Sequence, residues 1–370
     1  MRIAVAMSGG VDSSVAAAVL KQEGHELIGI FMKNWSPETG QSLSDCPWMA
    51  DQADAEAVCE HLDIPFRTFN FEREYKERVL DRFLAEYQAG RTPNPDILCN
   101  KEIKFGAFAV EAKRLGCEAM ATGHYVLLNE NGFLKRGTDP TKDQSYFLYA
   151  LDADQLSFCR FPLGSLLKSE VRQMALKFGL PTASKKDSQG ICFIGHLDLK
   201  RFLSEHLDGG LGNVFLLGAE AALLAQAVPT YFYTLGERVG RLIDNRLYAQ
   251  ATGNRNVPGL FVAAKKGKDL FVSSDADCPE LYSETLELDY WQGAGPATYL
   301  SGSTLQTRYQ QRERLPLLSL TLQHDGRVRL IVGKPFAHAA ATGQSAVVYS
   351  QAGEVLGGGT IINTWRPNGD

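Results

Sequence analysis

The sequence predicts an α/β fold: a doubly wound parallel sheet, then a small central domain and a C-terminal β-barrel. Three observations carry that prediction. The apolar run Ile3 to Met7 leads into Ser8-Gly9-Gly10-Val11-Asp12-Ser13-Ser14 and then an alanine-rich segment free of Gly and Pro. That order reads as strand, glycine turn, helix. Strand-length apolar runs and helix-period segments alternate to about residue 200, the pattern of parallel strands joined by helical crossovers. From about residue 276, short β-rich runs separated by turn residues replace the helical periods, as in a small barrel. The expected boundaries are therefore residues 1–200, 201–275 and 276–370.

The elements follow in order. Ile3-Ala4-Val5-Ala6 reads as a buried parallel strand and Val11 to Leu20 as the next helix. The turn between them carries two glycines, three hydroxyls and one carboxylate at a helix N-terminus. Glycines let the backbone approach a polyanion, and the free amides and helix dipole favour negative charge. The turn is thus a phosphate or pyrophosphate cradle. It lacks the Gly-Lys-Ser/Thr ending of a Walker A loop and the three spaced glycines of a dinucleotide fingerprint. It resembles instead the pyrophosphate loop of ATP-dependent adenylating enzymes.

Leu27 to Phe31 is the next strand, and Met49–Leu62 and Phe71–Gln88 read as amphipathic helices around Pro65–Asn70. Pro93 and Pro95 hold Gly90 to Glu102 as a stiff loop, after which Ile103 to Leu115 reads as helix. Cys99 then lies near a helix start with Lys101 and Lys104 close by, and both influences lower a thiol pKa. Asp96 is a nearby proton acceptor. Cys59 falls within a helical stretch, and Cys117 just before a strand. A second basic, glycine-bearing loop, Lys185 to Gly190, leads to Cys192. Glu284–Tyr290, Leu317–Leu322, Arg327–Val332 and Ser345–Tyr349 read as the strands of the barrel.

Composition narrows the class. In 370 residues, 44% of them hydrophobic, no run approaches the ~20 apolar residues of a membrane span. Strand begins at Met1-Arg2-Ile3, so no signal peptide is expected and a cytoplasmic, membrane-free protein is. A net charge of −5 argues against global attraction to nucleic acid while leaving room for a local basic face. Seven cysteines, at 46, 59, 99, 117, 159, 192 and 278, form no Cys-x-x-Cys pair. Reduced thiols are expected, without a disulfide framework or a structural metal site.

Taken together, SGGVDSS, GRTPNPDILCNKEIKF, ATGHY, KDQSYFLY and KDSQGICFIG, in that order, resemble the tRNA-specific 2-thiouridylases. These enzymes place sulfur at position 2 of the wobble uridine of certain tRNAs. The resemblance is dense to about residue 200 and resumes at Thr307-Arg308-Tyr309 and at Pro335 to Gly359. It implies an adenine nucleotide alpha hydrolase-like first domain that binds ATP, with Mg2+, through Ala6, Met7, Ser8, Gly9, Gly10, Val11, Asp12 and Ser13. Met32 would lie against adenine, Gly123 would let the nucleotide approach, and Asp12 is one candidate for the magnesium's surroundings. Asn94, Pro95 and Asp96 would meet the target base, with Asp96 as proton acceptor. Cys99 would be the nucleophile and Cys192 the persulfide carrier, loaded by an external sulfur-carrier protein. His124, Lys142, Asp143, Gln144, Arg308, Tyr309 and Gln344 would contact tRNA, and a monomer is expected.

Two readings from other classes stay open at this point. One is a pyrophosphate-loop ligase that adenylates a small molecule, which would need neither Cys99 nor Cys192. The other is a non-catalytic RNA-binding or persulfide-carrying relative, against which the complete glycine turn stands. The chain also departs from the family pattern in the central domain. Where His-Thr-Leu-Gly-Gln-Arg-Lys-Gly-Leu is usual, it has Tyr233-Thr234-Leu235-Gly236-Glu237-Arg238-Val239-Gly240-Arg241, which is less positive. The preceding Ala219–Ala227 run reads as helix.

Overall fold

The computed structural model describes residues 1–36, 47–186, 199–207, 210–218, 221–293, 302–307, 314–334 and 336–366. It comprises two compact units: Met1–Arg82 with Pro95–Leu197 and Gln351–Gly357, and Phe83–Asn94 with Asp198–Ser350 and Gly358–Asp370.

The first unit begins with β1 (Arg2–Met7), α1 (Val11–Gln22), β2 (Glu26–Lys33), α2 (Pro47–His61) and β3 (Phe66–Asn70). After two helical runs come β4 (Ala119–Ala121), the hairpin β5 (Val126–Leu128) and β6 (Leu134–Arg136), and β7 (Cys159–Arg160). The sheet order is β3-β2-β1-β4-β7 and every pair is parallel. The doubly wound expectation is met. Ile3, Val5 and Met7 of β1 share a core with the small residues Ala16, Ala17 and Ala18 of α1. Alanines at those positions let the helix axis lie close to the sheet. At Gly29 a β-carbon would stand 2.3 Å from the Cys59 sulfur, so glycine there lets α2 seat on β2. β1 is level with β2 from Arg2↔Glu26 to Met7↔Phe31, so β2 runs on past the point where β1 ends.

The helical runs differ from expectation. Phe71–Gln88 is helical as Glu72–Tyr75, a π segment Lys76–Leu80 and Asp81–Gln88. The next run starts at Pro95, not Ile103: Pro95–Leu98, a π segment Cys99–Ala107, then Phe108–Arg114. Proline breaks a helix interior but suits its first turn, where its missing N–H would have had no partner. Cys99 is accordingly inside a continuous helical run instead of in a loop at a helix start.

The second unit contains β8 (Gly212–Leu216), β9 (Ala222–Val228), β10 (Phe261–Lys266) and β11 (Asp269–Ser273) in the order β10-β11-β8-β9. The helix reading of 219–227 is corrected here: from Ala222 the segment is an antiparallel strand on β8, and 219–220 lie outside the described residues. Pairing along an existing strand outweighs the weak helix preference of an alanine run. Two of the departures in the glycine-rich stretch, Val239 and Glu237, have structural uses. Val239 is 1% exposed in this sheet's core, where a lysine would leave its charge stranded. The Glu237 carboxylate accepts the Thr234 N–H at 3.1 Å and lies 3.5 Å from Lys200 Nζ.

β12 (Tyr282–Ser283), β13 (Thr285–Gly293), β14 (Thr304–Gln306), β15 (Leu315–Leu322), β16 (Val328–Val332), β17 (Ala337–His338), β18 (Ser345–Tyr349) and β19 (Val355–Trp365) follow. Six of them close the expected barrel in the order β13-β16-β15-β14-β18-β19. No helix among the described residues is long and apolar enough to cross a membrane.

Candidate active site

The glycine turn sits where β1 ends and α1 begins, at the carboxyl edge of the parallel sheet, where open α/β sheets bind ligands. Gly9 has φ +71°, and a β-carbon there would stand 2.1 Å from the Asp51 carbonyl oxygen. Only glycine fits. The Gly10 carbonyl caps the first turn of α1, accepting from Ser13 Oγ at 3.1 Å, Ser14 Oγ at 2.8 Å and Ser14 N–H at 3.2 Å. Ser13 Oγ also accepts the Ser8 N–H at 3.2 Å, and Thr182 Oγ1 donates to Ser14 Oγ at 2.9 Å. Ser13 and Ser14, nearly fully buried, thus hold the turn's shape. Of Ala6 to Ser13, Ser8, Gly10 and Asp12 keep exposed surface, while Ala6, Met7, Gly9, Val11 and Ser13 are buried.

Asp12 projects from this turn and is neutralised from across the unit. Its carboxylate accepts Lys168 Nζ at 2.7 and 2.8 Å and the Tyr125 hydroxyl at 2.7 Å. Gly123 packs on the same point, since a β-carbon would lie 2.7 Å from the Asp12 carbonyl carbon and 2.8 Å from Ser13 N. The backbone N–H of Lys168 donates to Asp139 at 2.9 Å. Burial alone would raise the Asp139 pKa, but hydrogen bonds from Lys168 and Thr141 outweigh it and hold the carboxyl below its ordinary value. Lys185 Nζ donates to the Gly9 carbonyl at 3.0 Å and to Asp51 and Asp54 at 2.7 and 2.5 Å. Its burial disfavours the ammonium, yet the two carboxylates prevail and raise its pKa. Lys185, which opens the basic loop before Cys192, thus ties the turn to α2. The Lys168 and Tyr125 roles were not legible: the Asp12–Lys168 pair spans 156 positions, and Tyr125 gave no signal beyond closing ATGHY.

Met32 is 2% exposed near the end of β2. Cys99 opens the π segment at 0% exposure, while Asn94, Pro95 and Asp96 are half-buried. Asn100 Nδ2 donates to the Phe147 carbonyl at 3.3 Å, tying the cysteine helix to the segment after Gln144. Cys59, Cys117, Cys159 and Cys278 are also buried, and none of these five cysteines is in a disulfide. Cys192, Arg308 and Tyr309 lie outside the described residues.

Several residues expected at an RNA surface have intramolecular partners. The Asp143 carboxylate accepts from Gly137 N–H at 3.2 Å, Ser145 N–H at 3.1 Å and Ser145 Oγ at 3.1 Å. Gln144 Oε1 accepts the Tyr125 N–H at 3.0 Å. Lys142 is half-exposed. In the second unit, Gln344 Nε2 donates to the Thr92 carbonyl at 2.7 Å, and Thr92 N–H donates to Thr342 at 2.9 Å. The side chain of Gln344 therefore braces the segment that leads to Asn94.

His124 is 9% exposed, with Nδ1 2.7 Å from Thr122 Oγ1. Burial, reinforced by the Lys104 charge, pushes its pKa well below the ordinary value. The folded state therefore binds its proton later than the unfolded chain as pH falls. Stability is full above the unfolded value of about 6.5 and falls below it by up to about 1.4 kcal/mol per pH unit. Urea unfolding between about pH 7.5 and about pH 5.5 should show that loss, and His124→Gln should reduce the slope.

Similarity to known proteins extends along nearly the whole chain. A family model described as the tRNA methyl transferase HUP domain matches residues 1–196, and one described as an aminomethyltransferase beta-barrel domain matches residues 291–361. A tRNA-specific 2-thiouridylase MnmA of Psychrobacter sp. is 43% identical over 99% of this chain and 93% of its own. Its counterpart in Paracidovorax citrulli is 44% identical over 99% and 97%. That of Listeria innocua is 41% identical over 99% and 96%.

Proposed function

Because the chain belongs to the tRNA-specific 2-thiouridylase family, its activity is synthesis of 2-thiouridine in tRNA, and we propose that its glycine turn activates the uridine while its two cysteines deliver sulfur. Identity of 41–44% to such enzymes extends over 99% of the chain. The observation that most supports the first half is the exposed surface that Ser8, Gly10 and Asp12 keep where α1 begins, beside the Lys168 ammonium on Asp12, a position suited to phosphates.

In this reading ATP phosphates lie against Ala6 to Ser13, adenine against Met32, and Gly123 clears the approach. Magnesium arriving with the phosphates would supply charge neutralisation near Asp12. The 2-carbonyl oxygen of the wobble uridine, held by Asn94, Pro95 and Asp96, attacks the α-phosphorus. Pyrophosphate leaves and Asp96 takes the N3 proton. A persulfide on Cys192, loaded by an external carrier protein, is the sulfur source. Cys99 as thiolate attacks the Cys192 sulfur; the persulfide S–S bond breaks, a Cys99–Cys192 disulfide forms, and hydrosulfide leaves to attack C2 and expel AMP. By the second route the terminal persulfide sulfur attacks C2 and expels AMP, and Cys99 then attacks the Cys192 sulfur, breaking the S–S bond to release thiouridine and forming the Cys99–Cys192 disulfide. Either way an external reductant returns two electrons to the disulfide. tRNA would be contacted by Lys142, His124, Asp143 and Gln144 of the first unit, and by Arg308, Tyr309 and Gln344 of the second. The protein would act as a cytoplasmic monomer.

ATP–pyrophosphate exchange with and without tRNA tests the first half. Exchange that requires unmodified tRNA is expected. Exchange on a small metabolite without RNA would favour a small-molecule ligase, and no ATP consumption under any condition would favour a non-catalytic relative.

A further inference from the structure

Asn34 follows the last residue of β2 and is 2% exposed. Its amide nitrogen and its amide oxygen are both buried, with no hydrogen-bond partner among the described residues. No other described residue buries both ends of a side-chain amide in this way. A donor and an acceptor so placed forfeit their hydration with no return, and such a group in a folded protein calls for an explanation.

Its position supplies one. Alternate side chains of an extended chain share a face, so Asn34 goes with Met32, two residues before it. Lys33, between them, is engaged elsewhere: its Nζ lies 3.2 Å from Glu72 and 4.9 Å from the Trp48 ring centroid. β2 overruns β1 at the carboxyl edge of the parallel sheet, the edge that carries the glycine turn. A buried amide there offers one donor and one acceptor side by side. Adenine presents the complement, a 6-amino donor beside a ring-nitrogen acceptor, and bidentate pairing of an asparagine amide with that edge is a recurrent mode of base recognition.

We infer that Asn34 is a specificity-determining residue that reads the adenine edge of ATP, its Oδ1 accepting from the 6-amino group and its Nδ2 donating to the adjoining ring nitrogen. The inference rests on the proposal that Met32 lies against adenine. The nucleotide then supplies both partners that the amide lacks within the fold, and Asn34 turns a buried polar liability into base selectivity.

The test is calorimetric titration of the full-length protein with ATP and with purine riboside triphosphate, which lacks the 6-amino group. Wild type should prefer ATP by about tenfold or more, the scale of one or two buried hydrogen bonds. In Asn34→Ala and Asn34→Ser that preference should shrink to within about twofold. Without nucleotide, neither variant should melt below wild type, because each removes unmet polar atoms. Folded variants that keep the full preference overturn the assignment, as does a lowered melting temperature in both, which would mean that the amide is satisfied within the fold. If wild type binds ATP and only the preference fails to respond, Asn34 alone is misassigned. If wild type binds no ATP, the proposed nucleotide site falls as well.

Discussion

Gly9→Ala is expected to eliminate ATP-dependent thiolation and to destabilise the first unit by roughly 2–5 kcal/mol. The two parts of that figure are a left-handed backbone forced on a residue with a β-carbon, about 1–2 kcal/mol, and overpacking against fixed backbone, about 1–3 kcal/mol. The atom in the way is the Asp51 carbonyl oxygen, 2.1 Å from the position the new β-carbon would take, on a helix also bound by Lys185. Gly10→Ala is the control. Gly10 has φ −96° and only Ser8 Oγ, at 3.4 Å, near the new carbon. Gly10→Ala should unfold in denaturant much as wild type does, yet lose ATP affinity, because its added methyl occupies the open side of the turn. Denaturant unfolding and ATP titration of the two variants check both statements. Equal stability of Gly9→Ala and wild type would contradict the packing argument.

Cys99→Ser is expected to lower thiouridine formation by on the order of a thousandfold or more, the scale seen when a nucleophile is removed, with tRNA-dependent pyrophosphate exchange unchanged. Serine keeps the volume at a site that is 0% exposed, so folding should survive. The same burial predicts slow alkylation of Cys99 in the free protein, since a thiol must be reached by its reagent as well as ionised. Single-turnover thiolation, exchange and timed alkylation followed by peptide mapping separate these effects. Loss of exchange in Cys99→Ser would move Cys99 into the activation step and contradict the division of labour.

Local order was legible in the sequence wherever one period dominated. β1, α1 and β2 show this: an apolar run, a glycine turn and an alanine-rich helix leave few alternatives. Four of the six barrel strands, β13, β15, β16 and β18, were likewise read within a few residues, while β14 and β19 were not read. Two kinds of feature were not legible. Pro95 was read as a breaker because its position relative to the helix start decides its effect, and that start is fixed by packing. The segment from Ala222 was read as helix because a strand on a sheet edge is set by its partner, β8, and not by alanine's own preference. At the site, the glycine turn announced itself, but the division among its three hydroxyls did not: Ser13 and Ser14 hold the turn and Ser8 stays exposed. Lys168, Tyr125 and the orphaned amide of Asn34 come from long-range juxtaposition, which no local pattern encodes.

In the proposed reaction this chain couples ATP-dependent activation of tRNA uridine to sulfur delivered through a cysteine pair. Its most direct test is the 2-thiouridine content of unmodified tRNA incubated with purified protein, ATP, magnesium and a persulfide donor, beside the same reaction with Cys192→Ser. Thiouridine is expected with wild type only when ATP is present, and none above background with Cys192→Ser. Thiouridine formed by Cys192→Ser at the wild-type rate, or formed without ATP, would contradict it.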